Sequence, residues 1–253
     1  VPPYDLRKEF ERLGVLSEGS TWRITEANAE YALCPTYCSV LACPTDVTDE
    51  QLHQVAEFRS KQRLPVLSWI DQQTQTAIVR CAQPLVGLRG KKSEEDEELF
   101  DEIIKANPQN CGISMLDARP YLNAVANKGK GGGYEDASRY DEGAASLMFL
   151  NIDNIHVMRN SLQAMHSLVT SEDRCTDLTI RRQQYQTNWI LYTGRVLGGA
   201  ATIVREVSNK KRTALVHCSD GWDRTAQLCA LSEMCLDPHY RTMQGFQLVC
   251  QRE

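Results

Sequence analysis

A cysteine and an arginine with the spacing C-x5-R, Cys218 and Arg224, lie in the stretch HCSDGWDRTAQL. An apolar, strand-like run at residues 213–216 precedes them, and apolar residues at helical spacing follow between Ala226 and Met234. The pattern predicts a strand, a turn and the N-terminus of a helix. A loop in that position directs backbone N–H groups and the positive end of the helix dipole at one point, which favours a bound anion and a thiolate.

This arrangement suits phosphoryl transfer through a cysteinyl-phosphate intermediate. The sulfur of Cys218 would attack phosphorus in line, while loop amides and the fork of Arg224 would hold the equatorial oxygens. The reaction also needs an acid to protonate the leaving oxygen and a base to activate water. Asp220 and Asp223 lie inside the loop, and we assign proton donation to Asp223. Asp220 is the lesser candidate, because an aspartate in a turn often bonds its own loop amides.

The same spacing occurs twice more, so the spacing alone does not identify a nucleophile. Cys175 is followed by Arg181, and Cys235 is followed by Arg241. The first pair lies in a polar stretch with no strand before it and no glycine after it, and the second begins at the end of a helix-like segment. We interpret Cys175 and Cys235 as packing or incidental thiols, since free cysteine usually behaves as a small hydrophobic residue.

Residues 217–228 resemble the active-site loop of the myotubularin family of phosphoinositide 3-phosphatases, a branch of the cysteine-dependent phosphatases. The loop from Cys218 to Arg224 matches that family's pattern at every position. The resemblance extends over nearly the whole chain. Further stretches resemble family blocks in the expected order, namely residues 22–25, 58–60, 64–69, 117–120, 123–128, 131–135, 154–159, 240–242 and 245–246.

The resemblance implies which residues contact the substrate. The stretch from Asn127 to Lys130 would line the headgroup pocket, with Lys130 as a point charge for a second phosphate. Asn154 would approach the substrate, although residues 151–153 read Asn-Ile-Asp where the family usually has Asp-Ile-His. The catalytic residues are then Cys218, Arg224 and Asp223, and the substrate-binding residues are Ser219, Asp220, Gly221, Trp222, Asn127, Lys130, Asn154 and Ile155.

The resemblance also implies a fold, an activity and a location. The fold would be the α/β fold of protein tyrosine phosphatases, a central mixed sheet flanked by helices. The activity would be removal of the 3-phosphate from phosphatidylinositol 3-phosphate or phosphatidylinositol 3,5-bisphosphate. We therefore expect a cytoplasmic protein that lies peripherally on endosomal membranes and binds phosphoinositide headgroups but no nucleic acid. Homo- or hetero-oligomers with other family members are its expected assemblies.

Two alternatives belong to other classes of function. A protein tyrosine phosphatase would use the same cysteine and arginine, but such enzymes usually carry the acid on a separate loop. A scaffold without catalytic activity is the second alternative, because the family resembled here contains inactive members. Loss of the cysteine or the arginine is their usual mark, and this chain has both.

Length and composition indicate one domain covering residues 1–253. With 42% hydrophobic residues the chain can bury a sizeable core. The formal net charge is −5, so attraction to an anionic membrane would come from local patches and not from the overall field. The sequence has no run of about 18 apolar residues, and it therefore reads as soluble.

The 10 cysteines do not indicate a disulfide-rich protein. The chain is too long for a small secreted domain held by disulfides, and a thiolate nucleophile needs a reducing compartment such as the cytosol. Cys34, Cys38 and Cys43 have no matching pair of ligands downstream, so we expect no metal site. The predicted chemistry also needs no cofactor.

Periodicity predicts alternating helices and strands. Residues 90–98, GKKSEEDEE, change the sign of their charge abruptly and are expected to form a solvated loop. Helices are expected over residues 48–62, 99–106 and 182–207, the last as one or two helices with weak points at Gly194, Gly198 and Gly199. Strands are expected over residues 66–70, 77–80, 113–116, 147–152 and 213–216.

The chain begins at Val1 and stops just after an apolar-patterned segment at residues 246–249. In the family resembled here, a pleckstrin-homology-type domain precedes this region, and a segment whose arginines hold headgroup phosphates follows it. We therefore expect a catalytic-domain fragment that is incomplete at its C-terminus. Such a fragment would bind headgroups weakly and expose apolar surface where further helices would pack.

Overall fold

The computed structural model describes residues 5–109, 111–170 and 177–253. Cys175 lies outside the described residues. The helices are α1 (Leu6–Arg12), α2 (Asp49–Phe58), α3 (Glu94–Lys105), α4 (Tyr121–Lys128), α5 (Ile155–Thr170), α6 (Asp177–Thr187), α7 (Trp189–Ser208), α8 (Arg224–Leu236) and α9 (Met243–Arg252). The strands are β1 (Trp22–Thr25), β2 (Leu41–Pro44), β3 (Val66–Ile70), β4 (Ala77–Ala82), β5 (Ile113–Asp117), β6 (Ala145–Phe149) and β7 (Thr213–Cys218).

A five-stranded sheet with the order β3-β4-β7-β5-β6 forms the centre of the structure. β3 is antiparallel to β4, and the other neighbouring strands are parallel. Every residue of β3, β4, β5 and β7 is buried, as expected where helices cover a sheet. β1 and β2 form a separate antiparallel pair. The predicted α/β class with a central mixed sheet and flanking helices is confirmed.

The register of the parallel strands aligns their carboxyl ends. Cys218 at the end of β7 lies opposite Ala82 at the end of β4. On the other side, His217 lies opposite Asp117 at the end of β5, and Asp117 lies opposite Phe149 at the end of β6. The segments that follow these four strands therefore meet at one edge of the sheet, which is where open α/β sheets usually bind ligands.

The packing of α8 fixes the direction of the helix that begins at Arg224. α8 packs against α7, β7 and β4. Val196 and Ile203 of α7 and Leu228 and Cys229 of α8 belong to the same buried apolar cluster. The start of α8, with its unpaired backbone N–H groups, is thereby held at the end of β7.

The predicted helix over residues 48–62 is too long. Thr48 and Gln51 form a capping box at the start of α2, with bonds of 3.2 and 2.9 Å between each side chain and the other's backbone N–H. α2 ends at Phe58 because Arg59 has an extended backbone, with φ −109° and ψ 140°. Residues 60–62 form only a short 3₁₀ turn. The side chain of Arg59 enters a buried ion cluster that the local sequence pattern does not reveal.

The expectation of a solvated loop over residues 90–98 is wrong from Glu94 onward. The hydroxyl of Ser93 accepts a hydrogen bond from the N–H of Asp96 at 3.2 Å and caps α3. The acidic run forms the first turn of that helix, where carboxylates interact favourably with the helix dipole. Asp96 is buried and not solvated.

Two further boundaries differ from the prediction. β6 ends at Phe149 instead of residue 152, because Asn151 has a left-handed backbone with φ 56°. The helical region over residues 182–207 divides at Asn188, with φ 57°, and not at a glycine. Gly199 lies inside α7, where a Cβ would come within 2.8 Å of Leu228, so this glycine permits the close packing of α7 on α8. The other predicted strands, and the helix after Arg224, are confirmed.

Large apolar side chains are exposed on the outer helices. Val169 on α5, Tyr185 on α6 and Ile190 on α7 are 72%, 85% and 64% exposed. None of the helices in the described ranges combines enough length with enough apolar character to cross a bilayer.

A buried ion cluster joins α2, α3 and the segment before residue 136. The guanidinium of Arg59 donates to both carboxylate oxygens of Asp96, at 2.7 and 2.5 Å, and pairs with Glu135. It also donates to the carbonyl of Ala82 at 3.1 Å. Burial acts to lower the pKa of Arg59, but the two carboxylates outweigh it and hold the pKa above its ordinary value. The cluster therefore holds α3 against the end of β4.

We predict that Arg59→Met destabilises the fold strongly, since it leaves Asp96 and Glu135 buried without their cation. The free energy of unfolding, measured with urea, should fall by about 3–5 kcal/mol. Lys105→Met is the control, because Lys105 is exposed and its pair with Glu102 is worth only about 0–1 kcal/mol. Equal losses for the two variants would contradict the prediction.

Candidate active site

The loop over residues 218–224 joins β7 to α8. Cys218 is only 3% exposed at the base of this loop, and the N–H of Gly221 donates to its Sγ at 3.3 Å. Gly221 has a left-handed φ of 73°, and a Cβ there would lie 2.6 Å from the carbonyl oxygen of Cys81. A side chain would be both strained and in collision, so the loop closes over the sulfur only with glycine at this position.

Neighbouring segments hold the loop from outside. The N–H of Gln83, just after β4, donates to the carbonyl of Ser219 at 3.1 Å. The hydroxyl of Ser60 donates to the carboxylate of Asp220 at 2.7 Å. In a trans peptide the carbonyl and the next N–H point in opposite directions. A carbonyl held toward the protein therefore leaves the following N–H on the other side, available to an anion.

Arg224 is the first residue of α8 and bridges the loop to the segment after β6. Its Nη1 donates to the carbonyl of Ile152 at 3.1 Å. This bond orients the guanidinium but leaves other N–H groups for two parallel bonds to a phosphate.

A pocket of about 270 Å³ opens beside the loop. It is lined by side chains from the loop, from α4 and the turn after it, and from the segments after β5 and β6, namely Arg119, Asn123, Ala126, Asn127, Lys130, Asn154, Ser219 and Arg224. The structure thus brings together five of the predicted site residues, Asn127, Lys130, Asn154, Ser219 and Arg224. Cys218, Asp220, Gly221, Trp222, Asp223 and Ile155 are outside this lining.

The end of α4 positions the two predicted headgroup contacts. Asn127 donates from its side chain to the carbonyl of Asn123 at 2.8 Å, and its own carbonyl accepts from the N–H of Lys130 at 2.9 Å. The resulting turn places Lys130 at the pocket. The ammonium group of Lys128 instead lies 4.1 Å from the ring centroid of Tyr134, in a cation–π contact. Lys130 is therefore the lysine of this stretch that can meet a second phosphate.

Asn154 has a structural role in addition to its place in the pocket. Its side-chain oxygen accepts from the N–H groups of His156 and Val157 at 3.0 and 3.2 Å, which caps α5. The unusual Asp153 before it pairs with Arg195 of α7 at 2.9 Å. Asp153, which departs from the family pattern, therefore has an ion-pair partner in the fold. Asn154 still reaches the pocket.

Comparison with known proteins agrees with this geometry. The family model described as "Myotubularin-like phosphatase domain" matches residues 2–253. The chain belongs to the myotubularin-like phosphatase family. It is 45% identical over 259 residues to phosphatidylinositol-3,5-bisphosphate 3-phosphatase MTMR2 of Bos taurus, over 99% of this chain and 38% of that protein. It is 44% identical over 250 residues to myotubularin of Xenopus laevis, over 99% of this chain and 40% of that protein. The chain spans about two fifths of the length of these relatives.

The two aspartates of this myotubularin-like loop have different surroundings. Asp223 occupies the N-cap position of α8 and is exposed, and within the described part of the chain its carboxylate accepts no capping hydrogen bond. Asp220 is engaged by Ser60 and not by its own loop amides. An acid must be free to reach the leaving oxygen, so the geometry favours Asp223. The individual roles of the site residues stay predictions.

The fold explains the arginine of another C-x5-R pair, Cys235 and Arg241. The guanidinium of Arg241 donates to the carbonyl of Met234 at 2.6 Å, near the C-terminus of α8. Such a contact satisfies a helix-end carbonyl and needs no ligand. Cys235 is exposed at that end of the helix, which agrees with its interpretation as an incidental thiol.

The sequence reasoning missed Arg119 as a site residue. Its fully buried guanidinium donates to both oxygens of Asp117 at 2.9 and 2.6 Å and to Gln83 at 2.6 Å. It also donates to the carbonyl of Gly133 at 2.6 Å, and it lines the pocket. The available signal was an arginine directly after a buried strand, since a charge in that position needs partners from elsewhere in the fold.

We predict that Asp223→Asn lowers the rate on an inositol phosphate by about 10²–10⁴, because the departing alkoxide then lacks a proton donor. An aryl phosphate, whose leaving group departs without a proton, should lose much less. Steady-state rates on the two substrates test this. Asp220→Asn is the matched control and should not distinguish them. A loss of equal size on both substrates for Asp223→Asn would contradict the assignment.

Proposed function

We propose that this chain carries the catalytic centre of a phosphoinositide 3-phosphatase that works through a cysteinyl-phosphate intermediate. The observation that carries the proposal is the arrangement of one thiol and two cations. Cys218 lies at the base of the loop. Arg224, at the start of α8, and Lys130, in the turn after α4, both line the adjacent pocket. The name of the relatives, phosphatidylinositol-3,5-bisphosphate 3-phosphatase, supports the substrate class.

The reaction has two displacements at phosphorus. The thiolate of Cys218 attacks opposite the inositol oxygen, so that an S–P bond forms as the P–O bond breaks, and Asp223 gives its proton to the departing oxygen. The Asp223 carboxylate then takes a proton from water, and that water attacks phosphorus and displaces the thiolate. The products are a lipid with a free 3-hydroxyl and inorganic phosphate. Loop amides, the N-terminus of α8 and Arg224 stabilise the charge on the equatorial oxygens.

The pocket also supports an inositol ring in preference to a tyrosine ring. Its lining is mainly polar, and Asn127 and Asn154 offer neutral groups for ring hydroxyls. Lys130 supplies a second positive charge, which a phosphate elsewhere on the ring would use. A phosphotyrosine ring would instead need apolar walls. The presence of both the nucleophile and the arginine also argues against a purely scaffolding role.

The test is phosphate release from a panel of phosphoinositides and a phosphotyrosine peptide. Release is expected from lipids with a 3-phosphate. Cys218→Ser should abolish turnover but keep binding, because a hydroxyl is a far weaker nucleophile at neutral pH. Arg224→Lys should also fail, since a point charge does not reproduce the fork. Cys235→Ser, the same change at an exposed thiol, should be fully active. Turnover by Cys218→Ser, or turnover of the peptide without the lipids, would contradict the proposal.

We also propose that the rim of the pocket contacts the membrane. We define the rim as four exposed apolar residues on segments that also supply pocket residues: Leu122, Val125, Ile155 and Trp222, which are 76%, 38%, 48% and 43% exposed. Leu122 and Ile155 directly adjoin pocket residues in sequence, and Lys61 lies 5.7 Å from the ring centroid of Trp222. Apolar side chains beside cations are typical of surfaces that enter an anionic membrane interface. Endosomal localisation and assembly with other family members stay predictions.

We predict that Leu122→Ser weakens binding to vesicles of phosphatidylcholine with phosphatidylinositol 3-phosphate. Loss of one inserted leucine should weaken vesicle binding by about tenfold or more, from about 1.5–3 kcal/mol of lost burial. Sedimentation with vesicles measures this, and turnover of a short-chain soluble substrate should be unchanged. Leu16→Ser, at a leucine that is 49% exposed outside the rim, is the control. Equal vesicle binding by both variants would exclude the rim.

A further inference from the structure

Two buried arginines converge on one carbonyl of the loop. Nη2 of Arg63 and Nη2 of Arg80 donate to the carbonyl oxygen of Gly221 at 3.0 and 2.9 Å. Both arginines are 3% exposed. Neither lines the candidate pocket, so they act on the loop from behind.

Each guanidinium is fixed by partners outside the loop. Nη1 of Arg63 donates to the carbonyl and hydroxyl of Thr36 at 2.7 and 2.8 Å. Nη1 of Arg80 pairs with the carboxylate of Glu253 at 2.8 Å. The ring of Tyr37 lies against both guanidiniums. Its centroid is 4.1 Å from Cζ of Arg63 and 5.5 Å from Cζ of Arg80. The carbonyl of Gly221 therefore meets donors whose own positions are set by other elements.

The burial of Arg63 is unfavourable for stability, whereas the pKa of Arg80 is held above its ordinary value, chiefly by Glu253, despite burial. Burial acts to lower the pKa of Arg63, and the nearby charge of Arg80 lowers it further, which expresses repulsion between the two cations. The Nε atoms of both arginines are buried without a hydrogen-bond partner in the described part of the chain. Local costs of this kind are expected where function requires them.

The geometry has a direct consequence for the anion site. The carbonyl of Gly221 and the N–H of Trp222 belong to one trans peptide, so they point in opposite directions. With the carbonyl held toward the two arginines, the N–H of Trp222 lies on the side away from them. The N–H of Gly221 itself already points at the sulfur of Cys218. The charge of Arg63 also interacts favourably with a Cys218 thiolate.

We propose that Arg63 and Arg80 are positioning residues of the phosphate-binding loop, which hold the Gly221 carbonyl outward so that the N–H of Trp222 faces the transferring phosphoryl group. The proposal rests on the proposed phosphatase function. It assigns the two arginines no contact with substrate. Their effect is to fix a donor before the reaction, so that the donor needs no reorientation when charge develops in the transition state.

The test compares two anions, inorganic phosphate and orthovanadate, as inhibitors of aryl phosphate hydrolysis. Vanadate takes the five-coordinate geometry of the transition state, and phosphate does not. In Arg63→Met and Arg80→Met, vanadate inhibition should weaken by about 10–100-fold more than phosphate inhibition, because one preorganised donor is lost. Only folded molecules bind the inhibitors. Partial unfolding therefore does not change the ratio of the inhibition constants for vanadate and phosphate.

Two further variants separate positioning from charge and from stability. Arg63→Lys keeps the cation but lacks the fork that joins Thr36 to Gly221, so inhibition by vanadate should still weaken more than inhibition by phosphate. Arg23→Met is the matched control, since Arg23 also binds a carbonyl and a carboxylate, those of Val47 and Asp49.

The outcomes distinguish the two proposals. A wild-type ratio in both Arg63→Met and Arg63→Lys, with a lower melting temperature, would show that the arginines only stabilise the fold and would overturn the positioning role. A wild-type protein that binds neither anion and hydrolyses no phosphate ester would overturn the phosphatase function, and the positioning role with it. The proposal is supported if vanadate inhibition weakens more than phosphate inhibition in the Arg63 and Arg80 variants but not in Arg23→Met.

Discussion

β7 pairs in parallel with β4 on one side and with β5 on the other, and the position of Cys218, the predicted nucleophile, depends on this pairing. Because parallel strands end at the same edge, Gln83, Arg119 and Cys218 come together from three distant parts of the chain. α8 then packs on β7 and α7, which directs its N-terminus at the same point. The thiol, the helix dipole and the loop amides share one location because the sheet has this strand order.

The region around the loop contains several buried cations. A guanidinium removed from water is unfavourable unless its N–H groups are paired. Here the partners of the guanidiniums include carboxylates and backbone carbonyls from other elements. Each guanidinium therefore also joins separate segments of the fold. The formal net charge of −5 would repel a phosphate, so attraction at the site has to come from local cations such as Lys130 and Arg224. The buried arginines in question are Arg59, Arg63, Arg80 and Arg119.

The strands could be predicted well because their signal is local. Short apolar runs bounded by polar residues mark β3, β4, β5 and β7, and the buried sheet needs little else. The helix boundaries were predicted less well. α3 starts at Glu94, after the Ser93 cap. α2 stops at Phe58, where Arg59 turns away to reach Asp96 and Glu135, which lie 37 and 76 residues further along the chain. The spacing of apolar residues along either segment does not reveal this long-range contact.

The sequence by itself determined which reactive groups the loop contains. A thiol, an arginine, a glycine and two aspartates within seven residues predict a nucleophile and an anion clamp, since their mutual spacing is short and local. Only the tertiary structure decided that Arg119 lines the pocket beside the predicted Lys130, and that Ser60 engages Asp220. It also decided that Arg63 and Arg80 meet at Gly221, across separations of 158 and 141 residues. Such contacts follow from how the strands pair and the helices pack, and the local pattern of residues does not encode them.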